Sequence, residues 1–200
     1  MIDTATPALT LGLWDDGVMV ARIHEVIGRG HAERLVPALA ELPDGGRADR
    51  IVVGVGPGSF TGIRVGVAAA RALALAWDVP VDGLPTLALM AGQASGGPVS
   101  GGPVWVAIPG GHDEAFVQGF AGKPVRPDGD PLAVPLAKLG AHTADRTLLA
   151  PHRLRSTLSP FIELEVDAAA FGRVAHLATL APTPLYVRAP DARPAGAKAL

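Results

Sequence analysis

Residues 51–76, IVVGVGPGSFTGIRVGVAAARALALA, constrain the fold more than any other part of the chain. The opening apolar run reads as a buried strand. Gly54, Gly56, Gly58 and Gly62 follow, with Pro57 between two of them, and residues 62–77 then read as a helix. A strand that passes through glycines into a helix commonly cradles phosphate on backbone N–H groups. This loop lacks the side chains such sites use. A P-loop needs Lys and a hydroxyl residue after its last glycine, whereas Ile63-Arg64 follows Gly62. The dinucleotide fingerprint G-x-G-x-x-G is one residue shorter than Gly56-Pro57-Gly58-Ser59-Phe60-Thr61-Gly62, although Asp82 stands where a ribose-binding acid would. Ser59 lies in P-G-S-F-T and not in the G-x-S-x-G nucleophile elbow, and no His–Asp spacing supports it as a nucleophile. The residues alone support a tight turn with Ser59 or Thr61 as helix cap.

The remaining pattern places this turn in a larger unit. Leu9, Leu11 and Leu13 alternate at the strand period, Asp15-Asp16-Gly17 is a turn, and Val18–Val26 returns as the second arm of a hairpin. Leu35, Leu39 and Leu42 share a helix face, with Pro37 expected in the first turn or at a kink. A short strand at 79–84 and a helix at 86–95 complete the order βββαβαβα. That order is the ribonuclease-H-like half of actin-like and Hsp70-like proteins, an α/β fold of two lobes. Residues 94–103, ASGGPVSGGP, read as a linker. The expected lobes are 1–97 and a smaller, divergent 103–200. In the second, VWVAI, EAFVQGF and LYVR read as strands, PVRPDGDPLAVP as a loop, and 168–180 as a helix capped by Asp167. The tail after 188 is expected to be mobile.

Charge and composition exclude several functions. A net charge of −2 argues against a chain that grips nucleic acid unaided. With no cysteine there is no disulfide, thiolate nucleophile or Cys-ligated zinc. No H-E-x-x-H pattern exists among the six histidines, and His31 reads as a helix-start residue. Asp3 interrupts any leader segment, and 62–77 carries Arg64 and Arg71 and reads as too short for a bilayer span, so a soluble cytoplasmic protein with no membrane contact is expected.

The 62–77 helix is polar only along a stripe of Arg64, Arg71 and Asp78. A helix apolar almost all round needs cover on two sides. One side belongs to the sheet. The other calls for a second surface, either a partner or another element of the same chain. Gly62, Gly66 and Ala69 form a small-residue face suited to close approach.

The run GPGSFTGIRVG at 56–66 resembles the hallmark of the bacterial TsaB family, also called YeaZ. IDTATPAL at 2–9, HAERL at 31–35 and LYVR at 185–188 extend the likeness. The resemblance implies an actin-like two-lobed fold. It also implies a non-catalytic subunit in the synthesis of threonylcarbamoyladenosine, the tRNA modification beside the anticodon. The implied main partner is TsaD, which carries the metal and the transferase site, and TsaE is an ATPase acting with the pair. On this reading the chain itself needs no cofactor, ATP and metal belong to the partners, and tRNA is reached only through the complex. A second copy of the same chain, a homodimer, stays open as the alternative partner when the chain is alone. The implied docking set is the loop Gly56, Pro57, Gly58, Ser59, Phe60, Thr61, Gly62 and Arg64. With it go His31, Glu33 and Leu35 of the first helix and Gly66, Ala69, Ala70 and Leu73 of the second. No catalytic or metal residue is assigned.

Where the family commonly has an Asp-Ala-Arg-Arg-like turn, this chain has Pro109-Gly110-Gly111-His112. The competing reading, a free-standing kinase of this fold, needs a carboxylate on the first strand of each lobe to hold a metal–nucleotide. Asp3 supplies one. At the other position Pro109 has no N–H to donate, and Asp113 comes several residues late.

Overall fold

The computed structural model describes residues 1–96, 101–157 and 161–188. Two five-stranded mixed sheets organise it. The first contains β1 (Ile2–Asp3), β2 (Ala8–Asp15), β3 (Val18–Val26), β4 (Ile51–Gly54) and β5 (Val81–Leu84), in the order β3-β2-β1-β4-β5. The first three strands are antiparallel, and β1, β4 and β5 are parallel. The β2–β3 turn holds Asp16 and Gly17 at φ 45° and 78°, the positive values that an Asp-Gly turn tolerates. Helices α1 (His31–Glu41) and α2 (Phe60–Trp77) pack against this sheet and each other, burying Leu9, Leu11, Leu35, Val53, Ile63 and Ala70. Pro37 lies inside α1 on its exposed side and does not end it, contrary to the first-turn expectation. Arg34 ties α1 to β3 through Glu25 at 2.5 Å and reaches Glu41 at 2.7 Å.

The second sheet repeats the plan. It contains β6 (Val104–Gly111), β7 (Glu114–Ala121), β8 (Arg126–Pro135), β9 (Thr147–Ala150) and β10 (Phe161–Glu163), in the order β10-β9-β6-β7-β8. The strand β6 plays the part of β1, β7 and β8 form the hairpin, and β9 and β10 continue in parallel. The α4 helix (Leu136–His142) follows β8. Between the sheets runs α3 (Thr86–Ser95), whose Leu87, Ala88, Leu89 and Met90 are fully buried. It packs on β6 and on the short α5 (Phe171–Val174).

Three expectations for the second half change. PVRPDGDPLAVP is largely strand β8 and not a loop, and its prolines are tolerated because it is an edge strand, bonded only to β7. Residues 168–180 form no continuous helix. The 3₁₀ turn Ala168–Ala170, α5 and the turn Ala175–Leu177 replace it, although Asp167 does cap, accepting from the Ala169 N–H at 2.9 Å. LYVR is not a strand; the Leu185 N–H bonds Val55 O at 2.7 Å as a single tie.

The chain after β10 also leaves the second sheet. Ala168 N–H bonds Thr10 Oγ1 at 2.9 Å, Arg22 pairs with Asp167, and Leu180 bridges to Gly83. The division into 1–97 and 103–200 therefore describes the sheets. Ala170, Val174 and Ala178 share a core with Val104, Phe120 and Val125 of the second half, and a His176 ring nitrogen lies 2.7 Å from Val125 O, so residues 167–186 bridge the two sheets. Part of the proposed 94–103 linker and the tail after 188 lie outside the described residues.

Candidate docking site and interlobe cleft

The glycine loop connects β4 to α2 and is locked onto the β1–β2 connection. Ser59 N–H donates to Ala5 O at 2.6 Å, and Thr4 Oγ1 donates to Gly62 O at 2.7 Å. A Cβ on Gly58 would overlap the Ala5 carbonyl, and one on Gly62 would overlap the Thr4 carbonyl oxygen. The glycines at these two positions serve close backbone approach, which no side chain permits. Ser59 caps α2, its hydroxyl accepting from Gly62 N–H at 3.2 Å. Pro57 is buried and Thr61 exposed.

Asp3 points away from the cleft. It is fully buried, and its carboxylate accepts from Ala5 N–H and from the Thr86 hydroxyl, each at 2.8 Å. Thr86 in turn accepts from Gly56 N–H at 3.1 Å, so the carboxylate anchors the loop from below. Burial pushes its pKa up to about 6, with the two hydrogen bonds opposing the shift. Gly54 closes over it. Such a carboxylate organises the fold and is not presented to a ligand. Asp113, the late acid of the second lobe, is exposed in the β6–β7 turn.

The expected docking residues divide between two faces of α2. Ile63, Gly66, Val67, Ala70 and Ala74 face the sheet. Gly66 abuts Thr4 and Val53, so the small-residue face meets this chain's own β1 and β4. The sequence left open which side of the helix is outer; Gly66 and Ala70 lie on the inner side, and Gly62, Leu35 and His31 of the expected docking set are likewise buried. Ala69 and Leu73 are half-buried beside α1. The outer face carries Arg64, Ala68, Arg71, Ala72, Leu75 and Ala76, with Leu75 85% exposed. On α1, Glu33 and Val36 are exposed, Val36 at 66%. The helix is also longer than expected. At 18 residues α2 has the length and apolarity of a bilayer span, the one helix among the described residues to do so, yet only 33% of it is buried.

Phe60 and Tyr186 stack at 5.0 Å at the start of α2. Arg64 lies 3.7 Å over the Phe60 ring and donates to Tyr186 Oη at 2.9 Å. The period and glycine pattern gave no sign of this clamp, because its halves are far apart in sequence; LYVR supplied the residues without their place.

Between the lobes lies a cleft of about 700 Å³. Gly58, Ser59 and Phe60 form one wall and Pro109, Gly110 and Gly111 another; these three read as a turn in the sequence but are the bulged end of β6, with the turn itself at His112-Asp113. Arg29, Arg153 and Arg188 also line it. Isolated arginines in loops give no periodic signal, and their convergence was not legible.

The family model for TsaD, the tRNA N6-adenosine threonylcarbamoyltransferase, matches residues 23–123, just over half of the chain. An uncharacterized protein of Mycobacterium tuberculosis is 45% identical over 102 residues, covering 48% of each chain. The tRNA threonylcarbamoyladenosine biosynthesis protein TsaB of Escherichia coli is 40% identical over 95 residues, covering 45% of this chain and 41% of that protein. The chain thus spans about half the length of the curated relatives it matches. Among solved structures, YeaZ from Pseudomonas aeruginosa superposes with a TM-score of 0.76 at 25% identity, covering 92% of this chain and 97% of that one. The two repeated sheets are therefore those of the two-lobed actin-like fold, and with this family-model match and these named relatives the chain belongs to the TsaB/YeaZ family.

Proposed function

We propose that this protein works in tRNA threonylcarbamoyladenosine synthesis as a non-catalytic subunit that docks TsaD through the outer face of α2 and the adjoining face of α1. The exposed apolar strip Ala68, Ala72, Leu75 and Ala76 carries the reading. The buried α3 shows how this chain covers a helix that is apolar all round; α2 has equal apolarity and lacks that cover. Arg64 and Arg71 flank the strip and offer charge-assisted hydrogen bonds to carboxylates of a partner. The sealed Asp3, and Pro109 at the end of β6 with no N–H to donate, speak against the kinase alternative. TsaE and tRNA are engaged through the complex, ATP and metal are held by the partners, and the setting is cytoplasmic. A second copy of this chain is the competing occupant of the strip.

The inner and outer faces make the test specific. A standard interface buries about 1,600 Å² and depends on a few central residues. Ala72→Arg places a charge on the exposed face and should leave the fold intact. It should weaken TsaD binding about a hundredfold or more and fail to restore the modification in cells lacking the native protein. Gly66→Arg directs its side chain at Thr4 and should not fold. TsaD binding and restored modification with Ala72→Arg would remove the helix from the interface. A wild-type chain that restores nothing would remove the function itself.

A further inference from the structure

We infer that the clamp of Phe60, Arg64 and Tyr186 is a preformed receptor for one carboxylate, an Asp or Glu side chain of the protein that docks on α2, and that Tyr186 is the residue that positions the guanidinium for it. The inference rests on the docking reading above and adds the chemistry at one end of that surface. Phe60, Arg64, Ala68 and Ala72 follow one another at i+4, and Leu75 continues the row at i+3, so they form one stripe along the helix. At 1.5 Å per residue the stripe runs about 23 Å from Phe60 to Leu75. Its Leu75 end is aliphatic, and its Phe60 end carries the two stacked rings and the guanidinium. Phe60 and Tyr186 are each 38% exposed, and Arg64 is exposed between them. Arg64 is held differently from the chain's ion-paired arginines. Arg22, Arg34, Arg50 and Arg146 each reach a carboxylate of this chain. Among the described residues Arg64 reaches none; aromatic side chains alone fix it.

The geometry leaves a specific edge open. A guanidinium has N–H donors on Nε and on both Nη atoms. Arg64 Nε is given to Tyr186 Oη at 2.9 Å, so the Nη1–Nη2 edge remains, a fork that matches the two oxygens of a carboxylate. An ordinary surface arginine loses rotamer freedom when it binds; here the stack and the Tyr186 bond have ordered the side chain beforehand. The Phe60 ring also keeps water off one face of the guanidinium, which makes an ion pair stronger than a fully hydrated one. Arginine and tyrosine are the side chains on which protein interfaces most depend. The local field favours an acid from outside. The first turn of α2 has no acidic residue, and Arg64 lies close to the positive end of the helix, where the dipole disfavours a cation. Glu33 of the adjoining α1 lines a hollow with Arg29, Thr61 and Val65 and makes no bond to Arg64. Glu114 of the second lobe is paired with Arg188 at 3.1 Å. A protein carboxylate fits better than a nucleic-acid phosphate, because the stripe beyond Arg64 is alanine and leucine with only Arg71 beside it, in a chain of net charge −2.

The test titrates the full chain with TsaD in a calorimeter, with Ala72→Arg as the control for docking itself. Arg64→Gln should weaken binding about thirtyfold or more. Arg64→Lys keeps the charge but loses the fork and the stack, and should weaken it about tenfold. Tyr186→Phe keeps the ring, removes the hydroxyl and should weaken binding about fivefold. As a positioning effect that loss should vanish in the Arg64→Gln background, whereas a merely structural contribution would persist there. The three single variants should melt close to the wild type, since these side chains are exposed. Wild-type affinity should fall with added salt more steeply than that of Arg64→Gln. If Arg64→Gln binds as the wild type does while Ala72→Arg fails to bind, docking stands and the carboxylate receptor is refuted. If Ala72→Arg binds normally, or the wild type does not bind TsaD, both readings go together. An Arg64→Gln effect confined to self-association, or to capture of tRNA by the complex, would give the clamp to a second copy or to a phosphate and would equally overturn the inference.

Discussion

Asp3→Asn tests whether the first-strand carboxylate is a buried anchor or a ligand-facing acid. In the folded protein burial raises its pKa from 3.8 to about 6, and in the unfolded chain the lower value is recovered. A raised acid pKa means that the protonated form suits the fold. The stabilisation is complete below the unfolded pKa and is lost as pH rises through the folded one. A gap of roughly two pKa units corresponds to about 3 kcal/mol, most of it developing between about pH 4 and about pH 7. Asparagine cannot ionise, so Asp3→Asn lacks this loss. Its altered hydrogen bonds to Ala5 and Thr86 add an offset that is the same at both pH values. Urea unfolding of both proteins at the two pH values isolates the carboxylate. From the lower pH to the higher, the wild type should lose about 2–3 kcal/mol relative to Asp3→Asn. The difference of differences also cancels every other titrating group. If it is below about 0.5 kcal/mol, the carboxylate is hydrated, the sealing by Gly54 is wrong, and a cleft-facing metal–nucleotide role for Asp3 returns.

Two substitutions in the glycine loop should separate geometry from chemistry. Ser59→Ala removes one cap and should cost about 1 kcal/mol in denaturant unfolding, with TsaD binding and tRNA modification retained; loss of modification with fold and binding intact would make Ser59 a chemical participant. Gly62→Val drives a branched side chain into the Thr4 carbonyl and should cost about 3 kcal/mol or more, read as loss of the folded amide spectrum; a native-like spectrum would refute the close approach.

The first lobe was largely legible in the sequence because its signals are local and agree. Period-two leucines, an Asp-Gly turn and an unbroken strand before a glycine turn each select one structure, and the observed order β3-β2-β1-β4-β5 follows. The second sheet has the same order but hides it. Pro127, Pro131 and Pro135 make β8 read as a loop, since edge pairing that tolerates proline is decided by what lies beside the strand. Residues 168–180 are three short helical turns packed closely on α3, where a Cβ on Gly92 would press on Val174 and Ala170, a tertiary fit that the helical pattern does not carry. For α2, the pattern identified a helix apolar on more than one face. It could not tell Gly66 from Ala72, because which side meets the sheet depends on the threonine hydroxyl of Thr4 beneath Gly66. The cleft arginines are a tertiary coincidence with no sequence period.

The return of the C-terminal segment has a consequence for synthesis on the ribosome. The first sheet's edge at Gly83 is bonded by Leu180, Val55 by Leu185, and the ring stacked on Phe60, whose hydroxyl accepts from Arg64, is Tyr186. None of these groups exists while the nascent chain ends at the second sheet. Until then β5 presents an open edge, and the start of α2 lacks its stacking partner. The lobe whose strands emerge first is therefore among the last parts to be completed, and its closure waits on contacts of high sequence separation. During that interval the chain would expose apolar α2 and an unpaired strand edge together, the combination that invites wrong association. Early capture of α2 by a partner, before release from the ribosome, would protect the unfinished protein as well as assemble it.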